Sequence, residues 1–477
     1  MESNLGYKAA SGAIWATVDR FSHMALQFVI NLILANLLLP SDFGAIGMLT
    51  IFMAVSQVLI DGGFGSALIQ KKNPTQTDYT TIFYWNISLS VIIYLILYIS
   101  SPWIAAFYNL PILQSVLRVI GITLIINGAV AIQQTRLRKM LAFRTIAITN
   151  LSAYVISGGI SIYMAFNGGG VWSLVWNQLI YGMLMVIIFA IITRWHPSFC
   201  FSHRSMKELF GFGGYILAAN ILQEACKNFQ GLIIGKKFSD TQMGYYSQAY
   251  KLDNITSYSI PQVIVQVMYP VYSSIQDDSR RLIEILSMNI RVISYLIFPL
   301  FGLLILVAEP LITGLYGDKW FSAVQYYRIL CVGGFFVCMQ NVNFYAVAAK
   351  GKSRTLFNWS WYKWSFLLAA ILIGLNYGMD GIIWGMVLSN FNIYIVNALL
   401  VGKYVGLKFI NQISLWIYIC VIVIMCNIVS NSLHSLFDVN LFWCSLIYMV
   451  LYISFTFKTK NCKDTIYIFK KLLHKKG

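Results

Sequence analysis

Apolar runs of about twenty residues recur from one end of the chain to the other, separated by short polar turns. Wound as an α-helix, a run of that length crosses a hydrocarbon core of roughly 30 Å. The runs lack the period-two alternation of a lipid-facing barrel strand, so helix is the element that satisfies their backbone in lipid. The pattern predicts spans near 15–38, 43–69, 79–100, 113–134, 145–166, 171–193, 209–235, 244–271, 284–308, 322–348, 356–375, 381–401, 410–430 and 440–457. The expected fold class is all-α, a polytopic membrane protein of about 14 transmembrane helices.

Polar residues inside these runs carry the information. In "IWATVDRFSHMALQFVINLILANLLLP" (14–40), Arg20, His23, Gln27 and Asn31 fall at i, i+3, i+7 and i+11, one continuous helix face beside Asp19. A charge deep in a span costs at least about 2.5–3.5 kcal/mol, so it faces a partner or a water-filled cavity. Asp61, Arg118, Glu224, Lys227, Lys251, Asp253, Arg291, Arg328 and Lys363 also enter predicted spans. Cations outnumber acids among them, which suits an anionic cargo. A structural reading competes: Asp19–Arg20 and Glu224–Lys227 would neutralise each other, while Arg291 and Lys363 would snorkel to the cytoplasmic interface. For the first span the four-turn stripe favours a cavity, because one ion pair needs less. In "LIDGGFGSALIQ" (59–70), Asp61 precedes three glycines that either break the helix or allow close helix packing.

An internal repeat shows through. "PWIAAFYN" (102–109) leads into a run opening at Arg118, and "PLITGLYG" (310–317) into one opening at Arg328. A shorter echo joins "PSDFGAIG" (40–47) to "SDTQMGYY" (239–246). The offset, about 200 residues, equals six spans, which preserves orientation. The expected organisation is two pseudo-symmetric six-helix bundles, 1–205 and 206–405, then an added helix pair (406–457) and a basic cytoplasmic tail (458–477).

Composition agrees. Of 477 residues, 58% are hydrophobic and 11% charged, against roughly 25% charged in soluble domains. The net charge of +17 would suit nucleic acid in another chain, but here it tracks the loops. Alternate loops hold about 24 basic residues on one side and 3 on the other, a positive-inside asymmetry that places both termini in the cytoplasm. No cleavable signal peptide is expected, because the first run is long and split by Asp19–Arg20. The eight cysteines show no metal-ligand spacing, so no metal and no cofactor are expected. Enzyme motifs such as H-E-x-x-H or G-x-S-x-G are absent from the sequence, and "NGGGVW" (167–172) lacks the lysine of a phosphate loop.

"LLLPSDFGAIGM", "DGGFGSALIQ", "QQTRLRKMLAFR", "GYYSQAYKL", "PQVIVQVMYPVYSSIQDD" and "EPLITGLYGDKWFSAV" resemble the motifs of Wzx-type oligosaccharide flippases, members of the multidrug/oligosaccharidyl-lipid/polysaccharide exporter superfamily. The likeness covers about residues 10–405; the last two spans match only in number and hydropathy. It implies a V-shaped, two-lobed transporter in the bacterial inner membrane. Its cargo would be a polyprenyl-pyrophosphate-linked oligosaccharide, a polysaccharide or lipopolysaccharide O-antigen repeat unit. The cargo would pass from the cytoplasmic to the outer leaflet through a cationic central cavity. Implied partners are that substrate, membrane lipids, a coupling ion (sodium or proton), and polysaccharide polymerase and chain-length machinery, with no nucleic acid.

Such a cargo needs cations for its phosphates and polar or aromatic groups for its sugar. Arg20, Arg118, Lys227 and Lys251 are the phosphate candidates, and Gln27, Asn31 and Trp15 the glycan candidates. Asp19, Asp61, Glu224 and Asp253 are candidates for ion coupling or charge pairing. Where relatives carry an aspartate before "LIIG", this chain has Gln230, so that carboxylate's role does not transfer. A cation-coupled drug antiporter of the same superfamily would have about twelve spans and an acid-dominated cavity. A polytopic polysaccharide polymerase would need a large outer loop, whereas the longest here is about 308–321. A scaffold would leave the intramembrane charges without a purpose.

The loop charges generate a topology test. Reporter fusions at Arg138, Lys207, Arg354 and the C-terminus should read cytoplasmic, and fusions at Tyr108, Ser239 and Asp318 external. Arg138 and Tyr108 reporting one side would break the span count.

Overall fold

The computed structural model describes residues 2–62, 64–71, 73–259, 268–437 and 439–474. Residues 260–267, inside the expected span 244–271 and the stretch "PQVIVQVMYPVYSSIQDD", lie outside them, as does Gly63. Among the described residues the chain is helical with no strand, in two compact units, Met1–Gly244 and Tyr245–Gly477.

The first unit holds α1 (Glu2–Leu37), α2 (Pro40–Asp61), short α3 (Phe64–Gln70), α4 (Gln76–Tyr108), α5 (Ile112–Ile120), α6 (Ile122–Lys139), α7 (Phe143–Phe166), α8 (Val171–Thr193), α9 (His203–Lys237) and the start of α10 (Asp240–Asn254). The second continues through a π-helical turn (Ile255–Ser259) to α11 (Ser279–Leu306), α12 (Ala308–Tyr316), α13 (Ala323–Ala349), α14 (Ser353–Gly374), α15 (Gly378–Tyr404), α16 (Phe409–Phe437), α17 (Leu441–Thr456) and α18 (Lys460–His474). Nine stretches among the described residues are long and apolar enough to cross a membrane. One of them, Arg354–Tyr404, folds back as the antiparallel pair α14 and α15, with Gly374 and Gly381 against each other's carbonyls.

Local chemistry sets the helix ends. Pro40 sits at the first position of α2, where its missing N–H is no loss, and Asp42 accepts from the Leu39 amide (2.9 Å). Gly62, at φ +53°, ends α2 in the left-handed region that glycine enters without strain. The expected span 43–69 is therefore broken at Asp61–Gly62, the first of the two outcomes the glycines allowed. Lys139 of α6 donates to the Leu68 (3.1 Å), Ile69 (2.8 Å) and Lys71 carbonyls, capping the C-terminal end of α3. Thr75 and Asp78 form a reciprocal cap on α4, and Asp78 also pairs with Lys71 (3.2 Å).

Pro102 and Pro299 lie well inside helices, and each leaves an orphaned carbonyl four residues back. Behind Pro102 in α4, the Ser101 hydroxyl donates to the Tyr98 carbonyl (2.7 Å). Behind Pro299 in α11, the Tyr452 hydroxyl of α17 reaches the Tyr295 carbonyl (2.7 Å), and Tyr448 reaches the Pro299 carbonyl (3.0 Å). The added pair α16–α17 thus repairs α11. Expected as a basic tail, 458–477 instead includes α18, bent 96° from α17 and packed on α11.

Within the first unit the "PSDFG" and "SDTQMG" echoes meet. A Cβ on Gly44 would fall 1.8 Å from the Asp240 carbonyl oxygen, and one on Gly244 would fall 1.9 Å from the Pro40 carbonyl oxygen. Alongside, α9 packs on α2, with Gly235 against Met48 and Tyr108. Consequently α9 and the start of α10, placed after residue 205 by the repeat offset, pack with the first unit, and the units meet at 244–245.

Backbone atoms cannot rotate away from a new methyl. Gly44→Ala or Gly244→Ala should therefore destabilise the protein by about 1–3 kcal/mol. Gly159→Ala, which meets nothing within 4 Å, should be neutral or slightly stabilising. Thermal unfolding of the detergent-purified variants measures both; equal midpoints would remove the crossing as a constraint.

Candidate functional site

The stripe on α1 faces two ways. Asn150 of α7 donates to Asp19 Oδ1 (2.9 Å), and His23 stands edge-on to Tyr154 of α7 (ring centroids 4.7 Å) and near Tyr181 of α8 (6.2 Å). Asp19 is thus held by an amide of α7. Arg20 and Gln27 are exposed and Asn31 is half-buried. Trp15, also half-buried, lies under the Arg144 guanidinium (5.5 Å). One face of α1 is therefore packed on α7 while Arg20 and Gln27 stay accessible.

Asp61, at the break after α2, joins a polar ladder. Gln57 Nε2 donates to Asp61 Oδ1 (3.0 Å), and Asn127 Nδ2 of α6 donates to Gln57 Oε1 (2.9 Å). The ladder ties the end of α2 to α6 and holds the carboxylate one residue before Gly62. In α9, Lys227 Nζ lies 3.9 Å from Glu224 Oε1, and its side chain is 44% exposed against 27% for the acid. A pair this long and open contributes little energy. Glu224 also accepts from Asn228 Nδ2 (3.1 Å). Gln230 is buried and donates to the Lys227 carbonyl (2.5 Å). Lys251 is exposed on α10, while Asp253, two residues on, is buried.

The two repeat arginines behave alike. Arg118 reaches back to Ser101 Oγ (2.9 Å) and lies over the Tyr98 ring (4.3 Å), reinforcing the repair behind Pro102. Arg328 reaches back to Glu309 (3.9 Å) and the Ile305 carbonyl (3.4 Å). Arg118 is half-buried, while Arg20, Lys227 and Lys251 are more exposed.

Snorkelling is overturned for Arg291 and Lys363. Arg291 is 9% exposed, with its Nε 2.6 Å from Asp464 of α18. Lys363 is 8% exposed; it donates to Asn397 Oδ1 (2.6 Å) and lies 5.5 Å from the Phe344 ring centre. Each has a partner inside the second unit that removes the need to reach water. Asn461 adds to the first cluster, donating to the Leu415 carbonyl (3.0 Å) and Ser294 Oγ (3.2 Å). Reading the sequence missed Asp464, Asn461, Asn397 and the Gln57–Asn127 ladder. The signal was an amide or acid in a helix whose neighbours in space are remote in sequence. Among the described residues, no group of three or more His, Cys, Asp or Glu could hold a metal ion.

Comparison with known proteins adds a lineage. Residues 33–325 match the family model described as polysaccharide biosynthesis protein. The chain is 28% identical over 351 residues to the teichuronic acid biosynthesis protein TuaB of Bacillus subtilis (strain 168), covering 73% of each. It is 23% identical to the lipopolysaccharide biosynthesis protein WzxC of Escherichia coli (strain K12), covering 83% of this chain and 80% of that one. Among solved structures, the lipid II flippase MurJ in an inward closed conformation superposes with a TM-score of 0.72 at 14% identity, covering 93% of this chain and 98% of that one. An inward-facing MATE-family multidrug resistance transporter of the MOP superfamily gives 0.64 at 14% identity, covering 82% and 98%. At these identities the likeness establishes a shared fold.

The buried Arg291–Asp464 pair yields a stability test. Asp464→Asn leaves a buried guanidinium without its counter-charge and should cost about 3 kcal/mol, the low end for a broken buried pair, because Asp464 remains 21% exposed. Replacing both residues with apolar ones of similar volume should recover most of that loss. Thermal unfolding, with limited proteolysis near Lys463 as a readout of α18 release, distinguishes the variants.

Proposed function

The chain belongs to the polysaccharide biosynthesis protein family, and from that membership we propose that it flips a polyprenyl-pyrophosphate-linked oligosaccharide from the cytoplasmic to the outer leaflet. It is a multi-pass membrane protein, a transporter with the fold of the MOP superfamily and not an enzyme. Fourteen spans with both termini cytoplasmic, in a bacterial inner membrane, complete the reading.

One observation carries the choice of cargo: Arg20, Lys227 and Lys251 are cationic side chains at exposed positions. Facing lipid, each would cost several kcal/mol; lining water, each offers a phosphate-binding charge. By contrast, Arg291 and Lys363, which have buried partners, serve structure. Arg20, Arg118 and Lys227 of the first unit, and separately Lys251 of the second, are the charges we assign to the pyrophosphate. Gln27, Asn31 and Trp15 suit contacts with the sugar. Asp61, at a helix break and tied to two amides, is placed to respond to an ion, as breaks in transporter helices do. An acid-dominated set, as a cation antiporter would use, is not what these helices present.

The test is a deletion strain complemented with variants. Without the protein, the lipid-linked repeat unit should be chemically complete but trapped facing the cytoplasm, and surface polymer should fall. An added glycosidase that reaches only the outer leaflet reports the difference. A polymerase would leave single repeat units outside, and complete units on the outer face of a deletion strain with no other flippase would overturn the assignment. Arg20→Ala with Lys227→Ala should accumulate as protein yet fail to restore polymer. Arg20→Lys should restore part, since it keeps the charge and loses the bidentate fork.

A further inference from the structure

The last helix carries a surface for which neither the family match nor the cargo-binding charges have a use. α18 (Lys460–His474) leaves α17 at an angle of 96°. A helix that turns about a right angle out of a spanning helix runs along the membrane surface, here for about 22 Å at roughly 1.5 Å per residue.

Its two faces differ. One packs on α11: Asn461, Cys462 and Thr465 are buried, and Asp464 meets Arg291. On the opposite side Lys460, Lys463 and Tyr467 fall at i, i+3 and i+7, a single stripe with Ile466 beside it. All four are exposed, Ile466 at 43% and Tyr467 at 58%. Just before the helix, Phe457 and Lys458 are exposed as well.

The charge of this segment is one-sided. Residues 458–476 contain seven lysines and one acid, Asp464. That acid is already paired with Arg291. Among the described residues Lys458, Lys460 and Lys463 make no ion pair.

Lysines mixed with exposed apolar side chains narrow the choice of partner. A soluble polyanion would neutralise the lysines and leave Ile466 and Tyr467 in water. An apolar groove on another protein would cover those two and strand the ammonium groups. An anionic leaflet answers both: its phosphates meet the lysines, and the boundary between headgroups and chains takes the isoleucine and the tyrosine ring. The loop charges that assign the C-terminus to the cytoplasm put α18 on the leaflet where anionic lipids lie.

We propose that α18 is a docking surface for the anionic phospholipid headgroups of the cytoplasmic leaflet, held along the membrane by its packing on α11. This rests on the topology proposed above and adds a lipid-binding surface that the cargo reading does not use. Each lysine near an anionic surface strengthens binding about fivefold, so Lys458, Lys460 and Lys463 together contribute up to about a hundredfold.

The full-length protein in vesicles tests this, using phosphatidylcholine alone or mixed with phosphatidylglycerol, the same mixture in both leaflets. Hydrogen exchange of peptides covering 458–474 should be about tenfold slower, or more, in the anionic vesicles. Raising salt from about 0.1 to about 1 M should remove most of the difference, because the Debye length falls from about 10 to about 3 Å. Lys458→Gln, Lys460→Gln and Lys463→Gln combined should abolish the difference. All three side chains are exposed, and unchanged thermal unfolding in detergent confirms that the variant folds. Ile466→Ser with Tyr467→Ser should keep the salt dependence but exchange faster in both vesicle types. Equal exchange of the wild type in the two lipid mixtures overturns the proposal. So does equal protection by polyphosphate added to the protein in detergent, which makes α18 a site for a soluble polyanion. The C-terminal reporter fusion decides the topology separately. An external C-terminus overturns the cytoplasmic leaflet together with the topology, whereas a cytoplasmic one with no lipid response overturns the docking surface alone.

Discussion

In hydrocarbon no solvent satisfies a polar group, so each donor, acceptor and charge of the spans must find its partner within the protein or in water the protein admits. Most of this structure follows from that constraint. Pro102 and Pro299 each free a carbonyl, and each carbonyl is taken by a hydroxyl, from Ser101 in one case and from Tyr452 in the other. Arg118 then leans on Ser101, and the pair α16–α17 is fixed against α11. Lys139 caps α3, while Asp464 and Asn397 hold Arg291 and Lys363 inside. The C-terminal helices thus become part of the support of α11.

Backbone approach is the second determinant. Gly44 and Gly244 let the start of α2 and the start of α10 cross with carbonyl oxygens where a side chain would sit. Both glycines belong to the echoed motifs, so one supersecondary element, used twice, meets its own copy. That crossing, with α9 lying on α2, explains why the first compact unit extends past the repeat boundary. A repeat records how the sequence is organised; compactness records which surfaces close on each other.

Function emerges from what the constraint leaves over. Charges with buried partners are accounted for by structure. Arg20, Lys227 and Lys251 lie at exposed positions, and the proposed function assigns them to an anionic cargo. Asp253 is the complementary case, buried with a hydroxyl and no cation among the described residues.

The sequence by itself determined the class and the helical element, because these depend on run length and periodicity, both local quantities. Whether the glycines after Asp61 break the helix or allow close packing was left for the structure to decide. It also carried the family resemblance and the echo between "PSDFGAIG" and "SDTQMGYY", since motif identity survives without a structure. It listed the intramembrane charges but could not sort them. Arg291 and Lys363 look from the sequence like snorkelling residues, yet their partners lie 173 and 34 positions away. The tail from Lys458 reads as solvated because its positive charge is local, whereas the docking of Asp464 and Asn461 onto α11 is not. Only tertiary structure decided which charges are held inside and which lie at the surface. Pairing is a property of distance in space, and desolvation is set by what packs around a group rather than by what precedes it in the chain.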